Sequence, residues 1–310
     1  MKNDGVRTWR IAFFYLTLIA ICLWIFYFYS VGKEKPVRQK EISVIFYHAG
    51  NDGWESLLEG MKQAEDIFSV NINYITLRED ADGEEQKKAI LKEIENGAEG
   101  IILAVCEKEE INYFLKSDDC RIPVVTVESG VGDSSVPFIS ADNFAMGKLL
   151  GEELLRDYPM GENLIIVLAD DDRERDSIEE RRKGLLEALE GKARVISPKE
   201  ILEGEKADAA VGLHKTALRD ITEDEEGLYQ SMSIYGIGNT SSIVAALDRG
   251  KINKIVFQNE FNMGYLGVKA LLNEINGSSS QTINEIEFYS VTRQELYGTQ
   301  YEKLLFPIVE

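Results

Sequence analysis

From residue 41 onward the sequence predicts an α/β fold built on parallel, doubly wound sheets, and three observations carry that expectation. Short apolar runs of strand length alternate with longer amphipathic runs of helical period. Ten such strand-like runs strain one open sheet and suit two lobes better, with a ligand held between them. The segment ahead of them, 11–32, is uncharged and apolar and reads as a separate transmembrane helix.

That first segment, Ile11 to Gly32, is rich in Phe, Leu, Ile, Tyr and Trp, and a hydrocarbon core needs about 20 residues of helix. Cleaved signal peptides have apolar cores of about 7 to 15 residues, so a retained anchor is expected, although Ser30-Val31-Gly32 is a passable cleavage site. Lipid attachment at Cys22 is disfavoured, because bulky Ile21 precedes it. Basic residues flank both sides (Lys2, Arg7 and Arg10; Lys33, Lys35, Arg38 and Lys40), so charge does not set the orientation. Residues 33–40, with Pro36, read as a short linker.

The body opens on Ile42 to Tyr47, an apolar strand that runs into Ala49-Gly50-Asn51-Asp52-Gly53 and then into a helix with apolar positions at Trp54, Leu57, Leu58, Met61 and Ala64. In an open α/β sheet the crevice lies beyond the strands' carboxyl ends, which places this turn and Trp54 at the lip of a binding cleft. Further strands are predicted at Val70 to Thr76, Gly100 to Val105, Val124 to Val127, Pro137 to Ser140, Asn163 to Leu168, Arg194 to Ile196, Asp208 to Val211, Met232 to Ile237 and Lys254 to Gln258. Helices are predicted at Glu84 to Glu95, Glu107 to Leu115, Phe144 to Asp157, Ser177 to Leu189, Ser241 to Arg249 and Phe261 to Glu274.

Composition narrows the function. With Lys+Arg 34 against Asp+Glu 54, a formal charge of −20 opposes contact with phosphate backbones, so nucleic acid is not an expected partner. Three cysteines and two histidines offer no metal-ligand spacing, and Cys106 and Cys120 fall near opposite ends of a sheet, out of disulfide reach. The acidic clusters Glu107 to Glu110, Asp170 to Asp172 and Glu223 to Glu226 read as solvated loops or helix starts.

Catalytic motifs find little support. Gly236-Ile237-Gly238-Asn239-Thr240-Ser241, with Glu260 about 20 residues on, matches half a dinucleotide fingerprint but lacks its third glycine, and works equally well as a helix cap. Trp54-Glu55 stands where a P-loop requires Lys and Ser or Thr, and no Ser-His-acid or Cys-His grouping is present at a known spacing. No enzyme activity and no cofactor are expected, a nucleotide-dependent enzyme at Gly236 to Ser241 being the less favoured alternative.

The order of elements and several local patterns resemble the type I periplasmic solute-binding proteins of the ribose and galactose group, whose fold is shared by the ligand domains of the lactose-repressor family. The resemblance covers Ile42 to about Ser290. It rests on Gly53-Trp54 leading to Gly60-Met61, Gly97 to Ile102, Ile122-Pro123 to Glu128, and Ile139-Ser140-Ala141-Asp142-Asn143 leading to Gly147-Lys148. Arg181-Arg182-Lys183-Gly184, and Gly236 to Thr240 followed by Ala245 to Ile252, complete it.

The resemblance implies two Rossmann-like lobes joined by three crossovers, near Asp142, Gln258-Asn259 and Ser290-Val291. It places 41–142 and 259–290 in one lobe and 143–258 and 291–310 in the other. It also puts the domain outside the cytoplasm, leaving residues 1–10 inside. Asn51 matches a family position that bonds sugar hydroxyls, and Trp54 matches a ring-stacking aromatic. Glu128 stands for an acceptor aspartate, Arg181 for the arginine of an Arg-x-x-Gly pattern, and Gln258 for the polar residue at the second crossing. His214 and Asn239 stand beside positions where other polar contacts are displaced, and Ala104, Ser129, Leu213 and Gly238 replace polar residues. A buried hydroxyl without a partner costs about 1 to 3 kcal/mol, so ribose itself is not expected.

The expected function is a membrane-anchored solute-binding protein that closes two lobes on a small ligand, with a carbohydrate foremost, and presents the closed form to an ABC permease. The alternative partner is a membrane histidine kinase, for which the chain would be the sensing subunit.

Overall fold

The computed structural model of the protein describes residues 4–31, 39–49, 53–78, 80–159, 164–169, 175–278, 286–298 and 300–305. The chain divides into two units, Met1–Gln39 and Lys40–Glu310. The first holds one helix, α1 (Asp4–Val31), whose described side chains, at 9 and 13–27, are exposed. Among the described residues no helix is long and apolar enough to cross a membrane. The expected transmembrane span at 11–32 is thus not shown by the structure.

The second unit is the expected two-lobed α/β protein. Its first lobe is built from β1 (Glu41–Phe46), α2 (Glu55–Phe68), β2 (Asn71–Thr76), α3 (Gly83–Glu95), β3 (Gly100–Leu103), α4 (Lys108–Leu115), β4 (Val124–Val127) and β5 (Phe138–Ile139). These strands form a parallel sheet in the order β2-β1-β3-β4-β5. After Phe138–Ile139 the chain enters the second lobe, with α5 (Asn143–Asp157), β6 (Leu164–Leu168), α6 (Asp176–Leu189), β7 (Ala193–Ile196), α7 (Pro198–Leu202), β8 (Ala209–Gly212), α8 (Lys215–Thr222), β9 (Ser233–Ile237), α9 (Ser241–Asp248) and β10 (Lys254–Gln258). Then α10 (Glu260–Ile275) returns to cover the first sheet, and β11 (Phe288–Thr292) and α11 (Glu302–Leu305) follow. The second sheet runs β11-β10-β9-β8-β6-β7, parallel except for β11, which pairs antiparallel with β10, Gln258 opposite Phe288. The chain is thus back in the second sheet by Phe288, a few residues ahead of Ser290-Val291.

Strands β1, β3 and β4 are buried almost throughout because helices cover both faces of a parallel sheet. That is why they read as unbroken apolar runs. In each lobe the helix that follows a crossover lies backbone to backbone on the helix that follows the lobe's first strand. A Cβ on Gly60 of α2 would stand 1.9 Å from the Phe261 carbonyl oxygen of α10, and one on Gly184 of α6 would stand 2.0 Å from the Phe144 oxygen of α5. Only glycine permits that approach, and it fixes where the helix N-termini point.

Polar caps mark the helix starts. The side chains of Asp82, Asp142, Thr240 and Asn259 each accept a backbone N–H at the start of α3, α5, α9 and α10. Thr240 thus gives the Gly236 to Ser241 turn a capping role. Cys22, Cys106 and Cys120 form no disulfide. The acidic run Asp170 to Asp172 lies outside the described residues.

Candidate functional site

In each sheet the strand order reverses once, beside β1 and β3 in the first lobe and beside β6 and β8 in the second. Loops leave in opposite directions at such a point and open a crevice at the carboxyl ends. An open-mouthed cleft lies there between the two sheets. Tyr47, Ala49, Trp54, Glu128 and Glu260 line it from the first lobe, and Arg175, Arg181, His214, Lys215, Thr216, Ile237, Gly238, Asn239, Phe257 and Gln258 from the second.

The first wall is aromatic and acidic. Trp54 stacks on Phe46, with ring centroids 4.9 Å apart, and meets Tyr47 edge-on at 5.1 Å. Its indole Nε1 donates to the Tyr47 carbonyl oxygen at 2.7 Å, so the ring is fixed in plane and orientation. Trp54 therefore serves the core as well as the cleft. Tyr47 Oη donates to Glu128 Oε2 at 3.0 Å, and the Arg175 guanidinium lies 4.0 Å from the centre of the Tyr47 ring. Burial, with the Glu128 carboxylate beside it, pushes the Tyr47 phenol well above its ordinary range.

Glu128 is the focus of the site. Its backbone is left-handed, with φ 63°, an uncommon state for a residue with a side chain and one that recurs at functional sites. Its Oε1 accepts from Arg181 Nη2 at 3.0 Å and from Ser177 Oγ at 3.2 Å. Burial works to raise its pKa, but Arg181, then Arg175 and Lys215, outweigh burial and hold it below the usual carboxylate value. Arg181 also donates through Nε to Asn143 Oδ1 at 2.8 Å and through Nη1 to the Leu213 carbonyl oxygen at 3.1 Å.

Lys215 opens α8 and reaches across the cleft. Its Nζ lies 2.6 Å from Glu260 Oε1, donates to the Gly53 carbonyl oxygen, and stands 5.1 Å from the centre of the Trp54 ring. The preceding His214 caps the same helix, its Nδ1 accepting the Ala217 N–H at 3.3 Å. Gln258 ends β10, and its Oε1 accepts the Ala141 N–H at 3.4 Å, tying the second crossover to the first.

Of the residues singled out in the sequence, the cleft brings together Trp54, Glu128, Arg181, His214, Asn239 and Gln258. Asn51 lies outside the described residues. Two positions that depart from the family pattern have found other uses: Ser129 Oγ accepts the Ser177 N–H at 3.3 Å, and Leu213 offers its carbonyl oxygen to Arg181. Tyr47, Arg175, Lys215 and Glu260 were not foreseen as cleft residues. Glu260 was legible only as the acid of a fingerprint, and Lys215 opens an eight-residue helix whose start is capped by a histidine.

A two-lobed α/β protein with a polar cleft at the switch points of both sheets belongs to the class that clamps a ligand between lobes. The sequence profile of the periplasmic binding protein domain matches residues 42–218, and the chain belongs to that family. Families of this kind are solute-binding proteins rather than enzymes. Among solved structures the chain is similar to GanP, a glucose-galactose binding protein from Geobacillus stearothermophilus, at 19% identity, over 84% of this chain and 99% of that one, with a TM-score of 0.73. It is similar to a carbohydrate transporter solute binding protein from Agrobacterium radiobacter, in complex with D-arabinose, at 17% identity, over 87% and 99%, with a TM-score of 0.75. An ABC transporter solute binding protein from Agrobacterium vitis, bound with alpha-D-tagatopyranose, matches at 15% identity over 87% and 100%, with a TM-score of 0.75. At such identities the likeness is one of fold. Comparison with curated proteins finds no match.

Proposed function

We propose that the chain binds a sugar between its lobes and presents the closed form to an ABC permease. The observation that carries this reading is the cleft itself, where a fixed indole and the polar side chains of Asn239, Gln258, Thr216 and His214 converge from two lobes on one volume. A flat apolar face with converging donors and acceptors is what a polyhydroxylated ring requires. A ligand that touches both lobes binds the closed arrangement preferentially and shifts the population towards it. The permease is preferred over the sensor kinase because a structural relative with this fold is described as an ABC transporter component.

The test is a thermal shift of the full-length chain against D-glucose, D-galactose, D-arabinose and D-tagatose. At least one sugar raises the melting temperature in proportion to its concentration; no rise with any of them would contradict the reading.

The same proposal extends to the N-terminus. The uncharged run 11–32 and the exposed apolar side chains of α1 from Phe13 to Tyr27 support a single membrane anchor with the lobes outside the cytoplasm. Alkaline carbonate extraction leaves an anchored chain in the membrane pellet and releases an unanchored one.

A further inference from the structure

Among the described residues, three ion pairs join the lobes directly. Arg181 of α6 meets Glu128 after β4, with side chains only 3% and 9% exposed. Lys215 of α8 meets Glu260 of α10, at 15% and 5%. At the rim, outside the cleft lining, Lys108 of α4 pairs with Asp176 of α6. Hydrogen bonds also cross between the lobes: Ser177 Oγ donates to Glu128, the Ser177 N–H donates to Ser129 Oγ, and Ser241 Oγ donates to Glu55 Oε2 at 3.0 Å.

The partners are held in place within their own lobes. Arg181 is fixed in the second lobe by Asn143 and the Leu213 carbonyl, and Glu128 in the first by Tyr47. Little side-chain entropy is lost when such prearranged groups meet, and close charge pairs across an interface can then be net favourable. A ligand closes a clamp by touching both halves; here the chain's own charges already do so.

We propose that these pairs form a ligand-independent latch, so that the protein is closed before any ligand arrives and a ligand acts on a population already dominated by the closed form. The latch does not depend on the ligand being a sugar. It requires only that Glu128–Arg181, Lys215–Glu260 and Lys108–Asp176 hold the lobes together.

Single-molecule energy transfer on the full-length chain tests this. Dyes are placed at Tyr113→Cys on α4 and Leu202→Cys on α7, both exposed, with Cys22, Cys106 and Cys120 replaced by Ser. Without any sugar, the distance of the structure described here should predominate. Lys108→Glu, a rim substitution outside the cleft, should lower the closed-to-open ratio by roughly tenfold, and adding Asp176→Lys should restore it. For the chain carrying only the labelling changes, about 1 M NaCl should lower the ratio as well, because screening then acts within roughly 3 Å. A predominantly open population without sugar would overturn the proposal. So would a distribution that Lys108→Glu leaves unchanged, a failure of Asp176→Lys to restore it, or indifference to salt.

Discussion

The two lobes share a backbone plan and differ in the chemistry of their facing walls. Each has a sheet, parallel but for β11 in the second lobe, that reverses order once, and each sets a pair of helices against each other through glycines, Gly60 with Gly264 and Gly184 with Gly147. The first lobe turns Tyr47, Trp54, Glu55, Glu128 and Glu260 towards the cleft and its edge, while the second turns Arg175, Arg181, His214 and Lys215. In the cleft the charged groups of the first face are carboxylates, Glu128 and Glu260, and those of the second are cations, Arg175, Arg181 and Lys215. The likeness locates the cleft, and the difference makes its halves complementary. Lys108–Asp176, which reverses the polarity, lies at the rim.

The largest effect should come from breaking that complementarity at its most buried point. Arg181→Met leaves Glu128 and Asn143 buried without their partner and should lower unfolding free energy in urea by about 3–5 kcal/mol. A loss no greater than that of an exposed pair would mean that the facing charges do not hold the walls together.

The shared plan is tested by Gly60→Ala and Gly184→Ala. Each places a methyl group against a carbonyl of the facing helix and should cost about 1–3 kcal/mol, to a similar extent in both lobes. Unequal losses in the same denaturation experiment would show that one lobe tolerates a looser helix pair.

Acid probes the difference between the walls. The Glu128 pKa is lowered in the folded protein, chiefly by Arg181 acting against burial. Its stabilising contribution is therefore fully present above the unfolded value of about 4.3 and is lost as pH falls through the lower folded value. Melting temperatures recorded from neutral pH downward should show this contribution unchanged to about pH 5 and fading only below the ordinary carboxylate range. Glu128→Gln should flatten that acid limb.

The smallest effects should come from the caps, which belong to the common plan. Asp82→Ala at α3 and Thr240→Ala at α9 each remove one acceptor from a helix start and should cost about 1 kcal/mol apiece.

Much of the plan was legible because covered parallel strands are short apolar runs and most helices carry an amphipathic period or a capping residue. Trp54-Glu55 after a buried strand, and Asp142-Asn143 ahead of Gly147, announced α2 and α5. Strand β11 escaped because an antiparallel edge strand, half-buried along most of its length, shows neither a full apolar run nor clean alternation. Helix α8 did carry a period, with Ala217, Leu218 and Ile221 on one buried side, but its start is capped by a histidine, which marks a helix N-terminus far less plainly than Ser, Thr, Asp or Asn.

The site divides along the same line. Trp54, Glu128 and Arg181 could be named through the family's local patterns. The pairing of Glu128 with Arg181 joins residues 53 positions apart, and that of Lys215 with Glu260 joins residues 45 apart. Such partners follow from how two sheets face each other, which no local pattern encodes.

Titration calorimetry of D-glucose, D-galactose, D-arabinose and D-tagatose into the full-length chain, alongside Asn239→Ala, tests the central claim most directly. One of the sugars should bind with saturable heat at one molecule per chain, and Asn239→Ala, a half-buried cleft residue, should weaken it by about tenfold through the loss of one or two hydrogen bonds. No heat with any of the sugars, or undiminished affinity in the variant, would contradict a sugar held between these two walls.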